Sequence, residues 1–356
     1  HYLGNLFYDK RQYDLAQYHW EMAGVLNPEF PTTWRNLALL YFNKLGEKER
    51  ALEVMERAFL LDTTDARVLM ELDQLHKKMQ APWAQRLERL QHHRDLTDSR
   101  DDLILEEITL LNQTGAHEEA KLRLDAHIFH PWEGGEGKVP FQYQTARVEL
   151  AKKAIAEERY ADALSLLEEC LEYPHHLGEG KLYGAQENDF YYLTGLCHRA
   201  LGESEAARKA FRKATEGPEE PAPAMYYNDA KPDKIFYAGL AWRALGEDAA
   251  SRGEAEEARA MEGKARGCFN RLVSYGKQHL HDEVVMDYFA VSLPDLQVWD
   301  GSLDEMNRIH CLYMLALGYA GLGDTVRSER YLREAEAIDM NHQGLQAFRS
   351  LREYGL

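Results

Sequence analysis

The sequence predicts an all-α fold, an α-solenoid in which helical hairpins stack as a right-handed superhelix. Small residues recur at fixed offsets along the chain of 356 residues, which is typical of helix pairs in close contact. Period-2 apolar runs bounded by turns are nearly absent, which argues against a sheet. A hairpin of this size cannot bury its apolar face alone, so it must stack on further copies of itself. We expect about eight hairpins and a C-terminal capping helix.

The recurring pattern is a small residue followed at offsets of twelve, sixteen and nineteen by a small, a large and a small residue. It occurs at Gly4 with Ala16, Trp20 and Ala23; at Ala151 with Ala163, Leu167 and Cys170; at Gly195 with Ala207, Phe211 and Ala214; and at Ala316 with Ser328, Leu332 and Ala335. Small residues let two helix backbones approach closely, and the large residue fills the space beside that contact. The spacing therefore predicts a pair of helices at each of these places.

These residues resemble the tetratricopeptide repeat. The family pattern places Trp, Leu, Gly or Ala, and Tyr on a first helix, followed by Ala, Phe, Ala and a closing Pro. The specific matches are Leu3, Gly4, Phe7, Ala16, Trp20, Ala23 and Pro28 in the first copy; Trp34, Leu37, Ala38, Tyr41, Ala51, Met55 and Ala58 in the second; Tyr191, Gly195, His198, Gly202, Ala207, Phe211 and Ala214 in the sixth; and Leu312, Ala316, Tyr319, Gly323, Leu332 and Ala335 in the eighth. The resemblance implies a binding surface rather than an active site.

Other copies are less regular. The second copy carries one inserted residue around Gly46. Copies near 66–95, 101–130 and 144–174 are degenerate and are placed mainly by phase. The seventh contains Asp248–Lys264, a segment rich in Ala, Glu and Arg that we expect to lengthen both helices of its hairpin.

Segments between the repeats carry a second resemblance. They are His130–Lys138, Tyr173–Pro174, Leu177–Gly180, Tyr226–Asp229, Pro232–Lys234, Asp287–Leu296 and Asn307–Cys311. These segments look like those of a family of large bacterial proteins that share the domain of unknown function 5107. That family normally also carries a sugar-binding β-sandwich of the galactose-mutarotase type, which this sequence lacks. The resemblance implies the C-terminal fragment of a larger protein, and it implies no activity because the family is uncharacterised.

The expected organisation follows from the repeats and the segments between them. Residues 1–130 hold N-terminal tetratricopeptide-like repeats, of which the third and fourth are degenerate. A Gly-rich loop at 131–140 breaks the array, and residues 141–356 hold the later repeats. This later part includes a Pro-rich connector at 218–234, and we expect the capping helix within 341–354.

Composition argues against several classes of partner. The formal net charge is −18, from 60 acidic and 42 basic residues, whereas nucleic-acid binding needs clustered Lys and Arg. No apolar run approaches the roughly 18–20 residues that span a bilayer, so we expect neither a nucleic-acid nor a membrane partner. An acidic solenoid attracts basic segments at low salt, but we favour the simpler interpretation of a solvated surface. Four cysteines without a CxxC pair fit a reducing, cytoplasmic compartment.

The sequence predicts no catalytic residue, no cofactor and no metal ion for this chain. It contains no HExxH, GxSxG, P-loop or helix-opening GxGxxG motif. His127 and His130 have the spacing of two ligands on one helix face, but Pro131 ends the helix there and no third ligand is specified. We therefore expect this part of the protein not to be an enzyme, and the activity of the full-length protein stays open.

Residues on the first helices of the hairpins are candidates for a binding groove. By repeat phase, those expected to point into it are Arg35, Phe42, Asn43, Asp189, Tyr192, Arg199, Phe236 and Arg243. Mixed aromatic and arginine side chains suit peptide capture. For the aromatic residues, packing against neighbouring hairpins is an equal alternative. The first hypothesis is a non-catalytic protein-interaction or scaffolding module with a protein or peptide partner.

Loops supply the second set of candidates. The candidate loop surface comprises Trp132, Glu133, Glu136, Glu179, Tyr227, Asn228 and Asp229. Two similar Gly-Glu-Gly loops, Glu133–Lys138 and Leu177–Gly180, are expected on one side of the solenoid, where they suit docking of the protein's own missing N-terminal domain. The alternative hypothesis is a structural arm of a carbohydrate-active or sugar-binding protein, in which 227–229 and Trp299 contact carbohydrate together with that domain.

Overall fold

The computed structural model describes residues 1–223, 229, 231–285 and 298–356. Every regular element within these ranges is helical, and the helices follow one another as packed hairpins. The predicted all-α fold of stacked tetratricopeptide-like hairpins is therefore confirmed.

The chain forms two compact units. The first consists of His1–Leu110 and Asp295–Gly301, and the second of Leu111–Pro294 and Ser302–Leu356. A short segment late in the sequence thus belongs to the first unit.

The helices of the first unit are paired along the chain. They are α1 (Tyr2–Asp9), α2 (Tyr13–Leu26), α3 (Pro31–Leu40), α4 (Lys48–Leu61), α5 (Ala66–Lys78), α6 (Trp83–His92), α7 (Arg94–Thr97) and the beginning of α8 (Asp101–Gln113). After α3 the chain continues as a π-helical turn, Tyr41–Leu45, and leaves it at Gly46 with a φ of 70°. A π-helical turn holds one residue more than an α-helical turn, so it accommodates the residue inserted in the second repeat.

The second unit begins with the last residues of α8 and is also built of paired helices. Its further helices are α9 (His117–Asp125), α10 (Lys138–Ala156), α11 (Tyr160–Cys170), α12 (Asn188–Ala200), α13 (Ser204–Ala214), α14 (Pro232–Ser251), α15 (Ala255–His279), α16 (Leu303–Gly321), α17 (Thr325–Ile338) and α18 (Gln343–Glu353). The segment expected to lengthen the seventh hairpin lies in α14 and α15, which run for 20 and 25 residues. None of the helices in the described ranges is long and apolar enough to cross a membrane.

A contact between a glycine and an aromatic ring joins the two helices of several hairpins. A Cβ atom added to Gly4 would lie 2.3 Å from the ring of Trp20. One added to Gly195 would lie 2.5 Å from the ring of Phe211, whose side chain is buried. The large residue at the sixteen-residue offset therefore occupies the volume that a side chain at the glycine would need.

Ion pairs join the helices of the degenerate third and fourth repeats. Arg86 of α6 donates to Asp73 of α5 at 3.1 and 2.6 Å, and it also donates to Glu106 of α8 at 2.5 Å. The side chains of Arg86 and Asp73 are each 1% exposed. Burial raises the pKa of Glu106, but Lys77 and Arg86 together lower it to about 2. Because charged groups connect α5, α6 and α8, the small-residue pattern is weak in this part of the chain.

The Gly-rich loop interrupts the helices without interrupting their packing. Helix α9 precedes the loop, α10 follows it, and the two helices are in contact. Arg147 of α10 donates to the Asp125 carboxylate at the end of α9 at 2.7 Å. The division between the two compact units lies between Leu110 and Leu111, inside α8, and α9 packs with α10 of the second unit.

The C-terminal helix α18 contacts more than the hairpin before it. It packs on α17, as a capping helix does, and also on α16 and α10. Lys152 of α10 is fully buried, and its Nζ donates to the carbonyl oxygen of Ala347 at 2.9 Å and to Ser350 Oγ at 3.0 Å. The lysine charge is paired with Glu149 at 2.7 Å. One buried cation thus holds the last helix against a helix that lies far away in the sequence.

The glycine contacts predict that Gly195→Leu destabilises the second unit. A leucine at this position overlaps the Phe211 ring, and overpacking of a buried contact typically costs about 1–3 kcal/mol. Lys209→Glu, on the exposed side of α13, should change stability by no more than about 0.5 kcal/mol. Urea melts of both variants measure the difference. If Gly195→Leu melts with the wild-type protein, the glycine does not set the spacing of α12 and α13.

Lys152→Met should detach α18. The substitution keeps most of the side-chain volume but leaves Glu149 unpaired in a buried position, and loss of one partner of a buried pair costs about 3–5 kcal/mol. Backbone amides of α18 should then exchange at least about a hundredfold faster with deuterium. Lys153→Met, at the neighbouring exposed position, is the matched control. Equal protection of α18 in both variants would show that Lys152 does not anchor the helix.

Candidate functional site

A short segment of the chain is bound on the surface of the first unit. Val298–Asp300 lies between α15 and α16 in the sequence but belongs to the first unit. We call Val298–Asp300 the docked segment. We call the surface that receives it the first-unit groove, and its residues are Arg35, Phe42, Asn43, Lys44 and Glu71. Three of these, Arg35, Phe42 and Asn43, are candidate groove residues by repeat phase.

Trp299 fills a pocket of the first-unit groove. It is 1% exposed and joins the apolar cluster that contains Leu37 and Leu72. Its ring meets the Phe42 ring edge to face, with 5.4 Å between the centroids. Its Nε1 donates to the carbonyl oxygen of Glu71 at 2.7 Å, so the one polar atom of the indole is satisfied. The pocket thus provides both apolar contact and a hydrogen-bond acceptor for an indole.

Asn43 binds the backbone of the docked segment on both sides of Trp299. Its Nδ2 donates to the carbonyl oxygen of Val298 at 2.9 Å, and its Oδ1 accepts the backbone N–H of Asp300 at 2.8 Å. A single side-chain amide therefore satisfies one acceptor and one donor of the peptide. Every residue except proline offers these backbone groups, so Asn43 binds the backbone of the segment and not a particular side chain.

A lysine follows Asn43 and faces the acidic residue of the segment. Lys44 Nζ lies 3.3 Å from the Asp300 carboxylate, with the two side chains 29% and 57% exposed. Partial burial lowers the pKa of Lys44, but the Asp300 carboxylate raises it above its ordinary value. An ion pair this exposed contributes little, about 0–1 kcal/mol. It adds a preference for an acid after the tryptophan rather than much affinity.

Arg35 supports the groove and does not contact the docked segment through a hydrogen bond in the described residues. Its guanidinium donates to both carboxylate oxygens of Glu71, at 2.5 and 2.6 Å, and Glu71 is fully buried. A bidentate pair of this kind fixes α5 relative to α3. It therefore holds the Glu71 carbonyl oxygen where Trp299 donates to it.

The π-helical turn explains why Phe42 and Asn43 stand side by side in the groove. Both residues lie in Tyr41–Leu45, where the chain makes its wider turn. Such turns change the direction of the following side chains relative to a continuous α-helix, and they are frequent at functional sites. The inserted residue in the second repeat is the signal in the sequence that points to this feature.

The aromatic candidates of the second unit are buried among neighbouring helices. Tyr192 is 7% exposed and contacts the Phe211 ring at 5.9 Å between centroids. Phe236 is 4% exposed and contacts the rings of Phe269 and Phe348 at 5.8 and 5.6 Å. These contacts correspond to the packing alternative. Both residues are buried, and at Phe236 the burial includes Phe348 of α18.

The polar candidates of the second unit are engaged in local contacts. Asp189 accepts from Lys234 at 2.5 Å beside a cavity of about 40 Å³. Arg199 is half exposed and pairs with Glu247 at 3.1 Å.

Arg243 differs from these two because it binds backbone. Its guanidinium donates to the carbonyl oxygen of Gly321 at 2.7 Å and lies over the Phe269 ring. The arginine therefore ties α14 to the end of α16.

The two Gly-Glu-Gly loops meet each other. The backbone N–H of Gly137 donates to the Glu179 carboxylate at 2.8 Å. Burial raises the pKa of Glu179, and the hydrogen bond from Gly137 opposes this effect. Trp132 lies over Gly135, where a Cβ atom would come within 2.3 Å of its ring. A cavity of about 340 Å³ lies between the loops and is lined by Trp132, Glu133, Glu136 and Glu179 together with other loop residues.

The alternative hypothesis groups Trp299 with 227–229 as a carbohydrate contact. Trp299 is buried in the first-unit groove, because Phe42 and the Glu71 carbonyl oxygen bind its ring and its Nε1. Tyr227 and Asn228 lie outside the described residues, and Asp229 is described without its immediate neighbours. Across the part of the chain that the structure describes, no three His, Cys, Asp or Glu side chains form a group that suits a metal ion.

Comparison with known proteins agrees with the repeat architecture. The family model of the tetratricopeptide repeat matches residues 189–216, which cover most of α12 and α13. Among solved structures, the chain is similar to one titled Naa15/Naa10 bound to HypK-THB, with 13% identity over 99% of this chain and 55% of that chain, at a TM-score of 0.42. The chain therefore spans about half the length of that relative.

Two further structures match over nearly the full length of both chains. The C-terminal part of a TPR repeat-containing protein from Cytophaga hutchinsonii is 11% identical over 98% of each chain, at a TM-score of 0.27. The TPR domain of P58(IPK) is 13% identical over 99% of this chain and 97% of that chain, at a TM-score of 0.21. The matched repeat and the packed hairpins together show that this chain contains a tetratricopeptide region.

Proposed function

We propose that this chain is a protein-interaction module in which the first-unit groove captures a short peptide segment of a protein partner. The observation that carries the proposal is the pair of hydrogen bonds between the Asn43 side chain, which donates one and accepts the other, and the backbone of Val298 and Asp300. The proposal assigns binding and no reaction to the chain.

The hydrogen bonds at Asn43 follow the pattern that a parallel strand offers its neighbour, while the docked segment itself bends at Val298 and Trp299. The carbonyl group of Val298 and the N–H group of Asp300 lie on either side of Trp299 and point to the same amide. A residue of a neighbouring parallel strand binds a chain in this way, through groups that flank one residue. Peptides that add to a protein as an extra strand gain affinity from such backbone bonds and specificity from side-chain pockets. The first-unit groove supplies both, with Asn43 as the strand mimic and the Trp299 pocket for specificity.

The arrangement also has the features of an interaction hot spot. A large aromatic side chain sits in a desolvated pocket, and polar contacts surround it. The supporting Arg35–Glu71 pair lies behind the pocket and joins two groups of the first unit, neither of them in the docked segment. Support of this kind limits the ordering entropy that a bound segment costs.

A peptide-display experiment tests the proposed function. Trp299→Ala empties the pocket in the full chain, and a random dodecapeptide library is selected on this variant. We expect enriched peptides to bind the same variant about 5- to 150-fold more weakly when Asn43→Ala is added, because two hydrogen bonds contribute about 1–3 kcal/mol. Circular dichroism melts of both variants confirm that each is folded.

The outcome that contradicts the proposal is clear-cut. If no peptide is enriched on folded Trp299→Ala, or if Asn43→Ala leaves binding unchanged, the groove does not capture peptides through Asn43. Gln85→Ala, which removes an exposed side-chain amide of α6 outside the first-unit groove, is the matched control for Asn43→Ala.

A further inference from the structure

We infer that the docked segment is a built-in competitor for the first-unit groove, and that the partner carries the same chemistry: an apolar residue, a tryptophan and an acidic residue in succession. This inference rests on the proposed function, since it concerns the ligand and the regulation of that groove. It follows from three properties of the docked segment, namely its side-chain contacts, its charge and its independence from the helix that follows it.

The pocket selects tryptophan over other aromatic residues. The Trp299 side chain is almost completely enclosed, and the carbonyl oxygen of Glu71 accepts its Nε1–H at 2.7 Å. Because Glu71 lies within α5, its carbonyl oxygen also accepts an intrahelical hydrogen bond, so the selection rests mainly on the fit of the indole. A phenylalanine in the same place would fill less of the pocket and would not form the hydrogen bond that Trp299 Nε1 makes.

The positions on either side of the tryptophan have their own environments. Val298 packs against the apolar cluster of the first unit, so an apolar side chain is favoured there. Asp300 faces Lys44, so an acid is favoured after the tryptophan. Since the Lys44–Asp300 pair is partly exposed, its effect on affinity should be several-fold, and it should weaken with salt.

The docked segment can leave without disturbing the helix that follows. Among the residues that the structure describes, its hydrogen-bond partners are Asn43, Lys44 and the Glu71 carbonyl oxygen. Helix α16 begins at Leu303 with its own cap, because Ser302 Oγ accepts the backbone N–H of Glu305 at 3.2 Å. Release of Val298–Asp300 therefore removes no hydrogen bond of the α16 cap.

Tethering makes the segment an effective competitor even if its intrinsic affinity is modest. A covalently linked ligand acts at an effective concentration that reaches the millimolar range. A free peptide of the same sequence must then compete with the linked copy for every binding event. The wild-type protein should consequently bind such a peptide much more weakly than a variant whose segment cannot occupy the pocket.

A titration with the chain's own sequence tests this inference. A fluorescein-labelled peptide Leu-Gln-Val-Trp-Asp-Gly-Ser, which copies residues 296–302, is titrated with full-length protein and followed by anisotropy. We expect Trp299→Ala to bind it at least about tenfold more tightly than the wild-type protein. The same peptide with Ala for Trp should not bind, and the peptide with Lys for Asp should bind several-fold more weakly.

Two further variants keep the test decisive. Asp300→Pro removes the backbone N–H that donates to Asn43 Oδ1 and keeps Trp299, so it should weaken binding of the internal segment. This variant serves in place of Trp299→Ala if Trp299→Ala does not fold. Lys44→Glu should reverse the preference between the Asp and Lys peptides, whereas a merely structural role of Lys44 would change both affinities equally.

The results separate this inference from the proposed function. Equal binding of the peptide to wild-type protein and to both segment variants would overturn the competitor role. Display-selected peptides that bind through Asn43 but lack the Trp-acid sequence would overturn the ligand assignment and leave peptide capture standing. Absence of binding in both experiments would reject the two proposals together.

Discussion

The contact between a glycine on one helix and an aromatic ring on the next is the constraint on which the rest of the structure depends. At Gly195 and Phe211, and again at Gly239 and Phe269, a side chain in place of the glycine would overlap the ring. The contact fixes the rotation of each first helix, because only one side of that helix can face the second helix closely. The residues elsewhere on the first helix then point in defined directions, and this is why repeat phase has predictive value.

The same constraint explains which parts of the fold the sequence predicts. Where a glycine or alanine precedes a large residue at the fixed offset, the pattern is local and the hairpin follows from it. The third and fourth repeats are harder to recognise because α5, α6 and α8 are joined by Arg86, Asp73 and Glu106, and ion pairs between separate helices leave no periodic signal. The division of the chain inside α8 is equally invisible, since it depends on which helices pack together and not on the composition of the loop.

For the candidate site, the sequence predicts some of the residues that receive the docked segment but not the segment itself. Repeat phase makes Phe42 and Asn43 candidates, and the inserted residue near Gly46 marks the π-helical turn that contains them. Their ligand cannot be predicted in this way, because Trp299 and the Glu71 carbonyl that accepts its hydrogen bond are 228 residues apart in the sequence. A lone Trp-Asp pair outside the repeats carries no pattern of its own. In the second unit, phase places Tyr192 and Phe236 on the first helices but does not show that neighbouring helices and α18 bury them.

Charge gives the internal segment a further advantage over a free ligand. The chain carries a net charge of −18, so a free acidic peptide is repelled on its approach even though Lys44 favours an acid in the final position. The covalently linked segment has no diffusional approach, so this repulsion does not slow its binding. At 0.1 M salt the Debye length is about 10 Å, so repulsion between charges farther apart than this is largely screened. The same salt weakens the exposed Lys44–Asp300 pair. The repulsion acts mainly on the association rate and the ion pair mainly on the dissociation rate. Salt should therefore raise both rates, and the faster association favours binding whereas the faster dissociation opposes it. The groove is therefore selective for an acidic residue locally, while the whole protein keeps weak acidic ligands away and leaves its own segment in place.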